Sequence, residues 1–122
     1  MRRKDLLGRA GEEFAARYVT ELGWRLLDRN WRCPAGELDL VALDPMGAAG
    51  PVIVAVEVKT RRSLDFGHPW EAIDAAKLAR LHALIRLWAH EHGVSGPVRV
   101  DAVAVVGAAA ADMRCEHLRA VA

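Results

Sequence analysis

The stretch that most constrains this chain is Val52-Ile53-Val54-Ala55-Val56-Glu57-Val58-Lys59. It is β-branched and nearly continuous in its apolar character, which suits a central strand buried on both faces. Two charges interrupt it. Side chains alternate along a strand, so Glu57 and Lys59 share one face and Val58 takes the other. Charged groups there are costly unless something compensates them.

A second strand precedes it. Along Glu37-Leu38-Asp39-Leu40-Val41-Ala42-Leu43, alternation puts Leu38, Leu40 and Ala42 on one face and Glu37, Asp39 and Val41 on the other. Asp44-Pro45-Met46-Gly47 reads as the turn between the two strands. If they pair, Asp39 lies beside Glu57. Two carboxylates that close repel one another, and a divalent cation is their natural partner. Mg²⁺ (or Mn²⁺) takes hard oxygen ligands, here Asp39, Glu57 and the Val58 carbonyl, together with water and phosphate oxygens. Lys59, on the same face, is placed to orient a water and to stabilise developing negative charge. The same spacing also fits an ion pair between Glu57 and Lys59 with Asp39 serving a turn. An acid followed by E-x-K is a short pattern, and spacing alone leaves both readings open.

The remaining elements frame this pair. Leu7, Ala10, Phe14, Tyr18 and Leu22 recur at helical spacing, predicting a helix over Asp5 to Leu22 that Gly23 ends. Gly8 and Gly11 weaken its first turns, which points to a close approach there by a ligand or a strand. Trp24 to Trp31 reads as a strand, and Cys33-Pro34-Ala35-Gly36 as a turn. A second helix spans Asp74 to His92, with Leu78, Leu81, Ile85, Trp88 and Ala89 as its apolar stripe and Asp74 as its cap. Pro97 to Val106 returns as a strand, and Cys115 to Val121 supplies a further edge strand. The order is α-β-β-β-α-β plus that edge, an α/β domain with a mixed sheet.

The 122 residues are enough for one domain, 1–122, with a core of its own. Two cysteines are few for a secreted scaffold, the chain opens without an apolar leader, and no run is long enough to span a bilayer, so a cytoplasmic location is expected. A formal net charge of +1 neither demands nor excludes nucleic acid, so local clusters carry that question. Arg2, Arg3 and Lys4 form one cluster, and Arg61 and Arg62 directly follow the E-x-K triplet. Lys77 and Arg80 share a face of the second helix, which would hold phosphates if it borders the acids and would otherwise be a solvated face. His68 sits in a loop, and the four tryptophans read as core more than as stacking platforms. Asp101 fits a structural salt bridge better than a further metal ligand.

Several ordered blocks go further than these spacings. They are Gly8-Arg9-Ala10-Gly11-Glu12, Asn30-Trp31-Arg32, Gly36-Glu37-Leu38-Asp39-Leu40-Val41, Val56-Glu57-Val58-Lys59-Thr60-Arg61, Phe66-Gly67-His68-Pro69, and Lys77 with Arg99-Val100-Asp101-Ala102-Val103. Together they resemble the bacterial YraN-like (UPF0102) family over nearly the whole chain. That family in turn resembles the PD-(D/E)xK nuclease superfamily, which includes restriction endonucleases and Holliday junction resolvases. The resemblance implies a restriction-endonuclease-like core in which Asp39 binds metal, Glu57 and Lys59 take the E-x-K positions, and Glu12 on the first helix joins the same metal site. It implies a Mg²⁺-dependent endonuclease acting on DNA, branched or damaged structures included. Arg61, Arg62, Lys77 and Arg80 are then the expected phosphate contacts, and a resolvase-like role favours a homodimer. The alternative from a different class is a nucleic-acid-binding module that keeps the fold and cuts nothing.

Overall fold

The computed structural model describes residues 6–65 and 67–122. The basic Arg2-Arg3-Lys4 group, the expected helix start at Asp5, and Phe66 lie outside the described residues. Helix α1 (Leu6–Glu21) is followed by strands β1 (Arg25–Cys33), β2 (Gly36–Gly47) and β3 (Gly50–Arg61). A short 3₁₀ turn (Pro69–Ala72), helix α2 (Ala75–Glu91) and strand β4 (Val98–Val106) come next. A second 3₁₀ turn (Ala110–Asp112) leads into strand β5 (Arg114–Leu118), the edge strand that the sequence placed near Cys115.

The five strands form one mixed sheet in the order β1-β2-β3-β4-β5. The β3–β4 pair is parallel and every other pair is antiparallel. A parallel pair needs a long crossover, and α2 provides it. One face of the sheet packs Leu40, Val54, Val56, Val103 and Val105 against Ala15, Ala16 and Val19 of α1. The other packs Val41, Ile53, Ala55 and Val100 against Leu81, Leu84, Ile85 and Trp88 of α2. The run Val52–Val58 is buried throughout, as its composition requires, because both faces are covered.

Three expectations are corrected here. The apolar stripe of α1 is not its innermost face. Gly11, Glu12, Ala15, Ala16 and Val19 are buried, whereas Leu7, Ala10, Phe14 and Tyr18 flank them and Leu22 is 41% exposed. Small residues let the helix axis come close to the sheet, and the large side chains then wrap its flanks. The turn between β2 and β3 also lies later than Asp44-Pro45-Met46-Gly47. Those residues stay in β2 around a register shift, and the chain reverses at Ala48-Ala49. Asp44 is buried, its Oδ1 accepts from the Met46 N–H at 2.9 Å, and Arg99 Nη2 donates to its Oδ2 at 3.0 Å. Those bonds turn a local turn signal into a bulge. Leu38, finally, leaves the face of Leu40 and Ala42 and packs into the α2-side cluster, at the point where β2 separates from β3.

Gly11 resolves its two alternatives in favour of close packing on a strand. A Cβ added there would stand 2.9 Å from Thr60 Cβ and 2.8 Å from Thr60 Cγ2. Gly11→Ala therefore sets a gain in helix propensity of about 1 kcal/mol against an overpacking cost of roughly 1–3 kcal/mol. The expected result is a lower melting temperature by thermal denaturation. A higher one would mean that propensity, and not the contact with Thr60, governs this turn.

Candidate functional site

The sheet forks at the acids. The printed β2–β3 ladder runs from Gly47–Gly50 to Leu40–Val56 and stops. Beyond it, β2 remains paired with β1 as far as Gly36, while β3 remains paired with β4 as far as Arg61. Asp39 and Glu57 stand at the crotch, one step past the last pair. There the Asp39 side chain substitutes for the missing ladder, its Oδ2 accepting from the Val58 N–H at 2.9 Å. Asp39 is thus fixed by a backbone donor of the strand that carries Glu57. It does not serve a turn.

Both carboxylates are buried, Asp39 with 3% and Glu57 with 5% of its surface exposed. Two lysines reach Glu57. Lys77 Nζ stands 2.8 Å from Glu57 Oε2, and Lys59 Nζ stands 3.4 Å from the same oxygen. Lys77 gets there because Asp74 caps α2: its Oδ1 accepts from the Lys77 N–H at 2.8 Å, which starts the helix over the fork. Lys77, expected as a phosphate contact, therefore belongs to the acid cluster in this state. The ion pair that spacing allowed between Glu57 and Lys59 is present, with Lys77 as its closer member.

The electrostatics follow from burial. Burial, and then the neighbouring Asp39 carboxylate, push the Glu57 carboxyl above the usual range, although Lys77 pulls the other way. Lys59 is pushed below the usual lysine value, first by burial and then by the adjacent Lys77. Burial would lower Lys77 as well, but its contacts with Glu57 and Lys59 and the charge of Asp39 outweigh that and raise it. The cluster thus holds a carboxylate that resists ionisation, a lysine that releases its proton readily and a second lysine that keeps its own.

The other candidates lie at varying distances from this cluster. Glu12 is buried on α1, next to the Gly11–Thr60 contact. Among the described residues no three His, Cys, Asp or Glu side chains are grouped as they would be around a metal ion. Arg61 ends β3 and its Nη1 donates to the Thr60 carbonyl at 3.1 Å, while Arg62 follows it, exposed. Arg80 lies one turn beyond Lys77 on α2, at the rim of a cleft that Glu57 and Lys77 also line. His68 Nδ1 accepts from the Trp70 N–H at 3.2 Å and so caps the 3₁₀ turn.

A second buried polar cluster sits on the α1 side of the sheet, and of its members only Asp101 stood out in the sequence. Asp101, fully buried, accepts from Arg99 Nε at 2.7 Å, Arg99 Nη2 at 3.0 Å, His117 Nε2 at 2.8 Å and the Ala120 N–H at 2.9 Å. With Nε2 donating to Asp101, His117 Nδ1 accepts from the Tyr18 hydroxyl at 2.9 Å. Arg99 and Arg119 also lie over the Trp24 ring, 5.5 and 5.4 Å from its centroid. Asp101 is thus a structural ion pair, as its position suggested. Asp44 and His117 gave no local signal, because both gain their partners only through sheet pairing.

Fold and site together define an α/β protein with a mixed five-stranded sheet, two covering helices and a buried acid–lysine cluster at a strand fork. The chain belongs to the family described as "Uncharacterised protein family UPF0102", whose profile matches residues 11–105. Relatives described as UPF0102 proteins include one from Paenarthrobacter aurescens (strain TC1), 52% identical over 99% of this chain and 97% of the relative. Another, from Arthrobacter sp. (strain FB24), is 55% identical over 99% of each chain, and one from Streptomyces griseus is 43% identical over 99% of each. Among solved structures the chain is similar to Pyrococcus furiosus SfsA in complex with Ca²⁺. That similarity has a TM-score of 0.39 and 14% identity over 93% of this chain and 62% of that one. No helix among the described residues is long and apolar enough to cross a membrane.

Proposed function

We propose that this protein is a Mg²⁺- or Mn²⁺-dependent endonuclease that hydrolyses phosphodiester bonds in nucleic acid, DNA foremost, with a PD-(D/E)xK-type core. The observation that carries the reading is the contact of two buried carboxylates, Asp39 and Glu57, at the strand fork with Lys59 beside them. A fold does not bury two acids against each other for stability, because each raises the cost of ionising the other. The donor set fits a hard divalent cation: Asp39 and Glu57 would hold it, with the Val58 carbonyl as a third oxygen and Glu12 as the further acid from α1. When bound, such an ion polarises the phosphate and lowers the pKa of a water. Lys59, with its lowered pKa, is suited to take up a proton from that water or to hold it in line. Lys77, displaced from Glu57, becomes available to a phosphate oxygen, as do Arg61, Arg62 and Arg80.

A second reading has its own observation. With the Lys77 ammonium 2.8 Å from Glu57, the acids already have a cation, which is what a nucleic-acid-binding module without catalysis would keep. One experiment separates the two. Purified protein is offered duplex, nicked, branched and single-stranded DNA, and RNA, with Mg²⁺ or Mn²⁺. Cleavage that is lost in Glu57→Ala and Lys59→Ala is the expected result. Binding without cleavage on every substrate would favour the second reading. Unchanged Mn²⁺ affinity of Asp39→Ala by calorimetry would remove Asp39 from the ligand set.

A further inference from the structure

The acids do not stand on a flat surface. Beside them a cleft of about 420 Å³ opens between the tip of the β1–β2 hairpin and the first half of α2. That size lies within the roughly 300–1,000 Å³ of small-molecule sites. Glu57 and Lys77 close its inner end, so the cleft and the acid cluster are continuous. Its walls are of two kinds. Leu81, Leu84 and Pro34 give apolar surface, and Arg32 and Arg80 bring guanidinium groups. Arg32 Nε is 3.3 Å from Glu37 Oε2, while Arg80 is exposed and pairs with none of the described carboxylates. The cleft owes its shape to Gly36, whose φ is +148°. A Cβ there would meet Leu84 Cδ1 at 3.1 Å and the Arg80 stem at 3.9 Å, so glycine keeps the hairpin tip against α2.

We propose that this cleft is a nucleotide subsite, receiving one unpaired nucleotide of a nucleic-acid strand next to the phosphate that reaches the acid cluster. A strand phosphate needs cations but no apolar walls; a base needs apolar walls or a guanidinium plane to lie on. The cleft offers both, Arg80 and Lys77 for phosphates and Leu81, Leu84 and Pro34 for the ring. A paired base is held in its stack, and removing it costs a few kcal/mol, least where it is already unpaired. The substrate class that follows is nucleic acid carrying an unpaired nucleotide, as at a bulge, a flap or a junction. This rests on the nuclease reading for the identity of the strand, but not on cleavage.

The test is binding by fluorescence anisotropy in EDTA, so that neither metal nor cutting intervenes. Three DNA probes of equal length are compared: a fully paired duplex, the same duplex with one bulged nucleotide, and the same duplex with an abasic residue at the bulge. The bulged probe is expected to bind about tenfold tighter than the other two, on the order of 1.4 kcal/mol. Ala35→Trp, at an exposed turn residue that lines the cleft, should abolish that preference and leave duplex affinity unchanged. Arg80→Ala should weaken all three. If the abasic bulge binds as tightly as the nucleotide bulge, if Ala35→Trp keeps the preference, or if no probe binds, the subsite proposal is overturned. The nuclease reading is judged apart, by Mn²⁺ affinity and by cleavage of the fully paired duplex, which need no base in the cleft.

Discussion

Asp101→Ala is expected to lower the stability of this protein by roughly 3–5 kcal/mol, the cost of breaking a buried ion pair by removing one partner. For a domain of this size that is on the order of 10–20 °C in melting temperature. The carboxylate takes up four donor hydrogen bonds from three elements of the chain. Without it, Arg99 keeps only Asp44, His117 loses its acceptor, and the Ala120 N–H is left without its bond. The tail then loosens too, because Val121 and Ala122 pair with Val100 immediately beyond Ala120. Burial alone would raise the pKa of Asp101, but hydrogen bonds from His117, Arg99 and the Ala120 N–H outweigh it and hold the carboxyl below the usual range. A depressed folded-state pKa gives stability that is present above the unfolded value of about 3.9 and is lost as pH falls through the folded value. Chemical denaturation should therefore show the gap between wild type and Asp101→Ala at pH 7 and pH 5, shrinking below about pH 3 to 4. A gap under about 1 kcal/mol at pH 7 would mean that water replaces the carboxylate without loss.

That network marks where the sequence stops being informative. Elements set by local pattern were legible: the β-branched run became β3, Asp74 capped α2, and Cys33-Pro34-Ala35-Gly36 turned the first hairpin. Asp39 came beside Glu57 because antiparallel neighbours joined by a short turn have few registers that keep one face buried. What failed was whatever depended on distant partners. Asp44-Pro45 looked like a turn because the ion pair that straightens it comes from Arg99, 55 residues on. The innermost face of α1 is lined by glycine and alanine, which carry little hydropathy, so the larger flanking residues gave the stronger periodic signal. Lys77 read as a surface cation because nothing near it in sequence shows that α2 starts over the fork.

The second large effect is expected at Glu57, and its sign differs between stability and function. Glu57→Gln keeps the shape of the side chain and its capacity to accept from Lys77, but removes the charge. Burial first, and Asp39 second, raise the pKa of Glu57 in the folded state. A raised carboxyl favours folding fully only below its unfolded value of about 4.3, and that contribution is lost as pH rises through the folded value. At pH 7 to 8 the ionised acid therefore strains the metal-free fold, and the neutral amide relieves it. Glu57→Gln should be more stable than wild type there by roughly 1–2 kcal/mol, within the range seen when buried charges are replaced by neutral groups, and the gain should vanish near pH 4. Under the proposed function the same change should be ruinous for activity. Mn²⁺ should raise the melting temperature of wild type through binding to the folded state alone and leave Glu57→Gln unmoved, while cleavage falls by about 10³ or more. Calorimetric melting with and without Mn²⁺, at pH 4 and pH 8, reads both halves. A variant less stable than wild type at pH 8 would mean that the Lys77 pair outweighs the repulsion from Asp39, so that the acids are there to hold the fold. A variant that is more stable and yet still shifted by Mn²⁺ would place the metal elsewhere. Only a gain in stability together with a loss of metal response makes Glu57 a charge that the fold tolerates for the sake of chemistry.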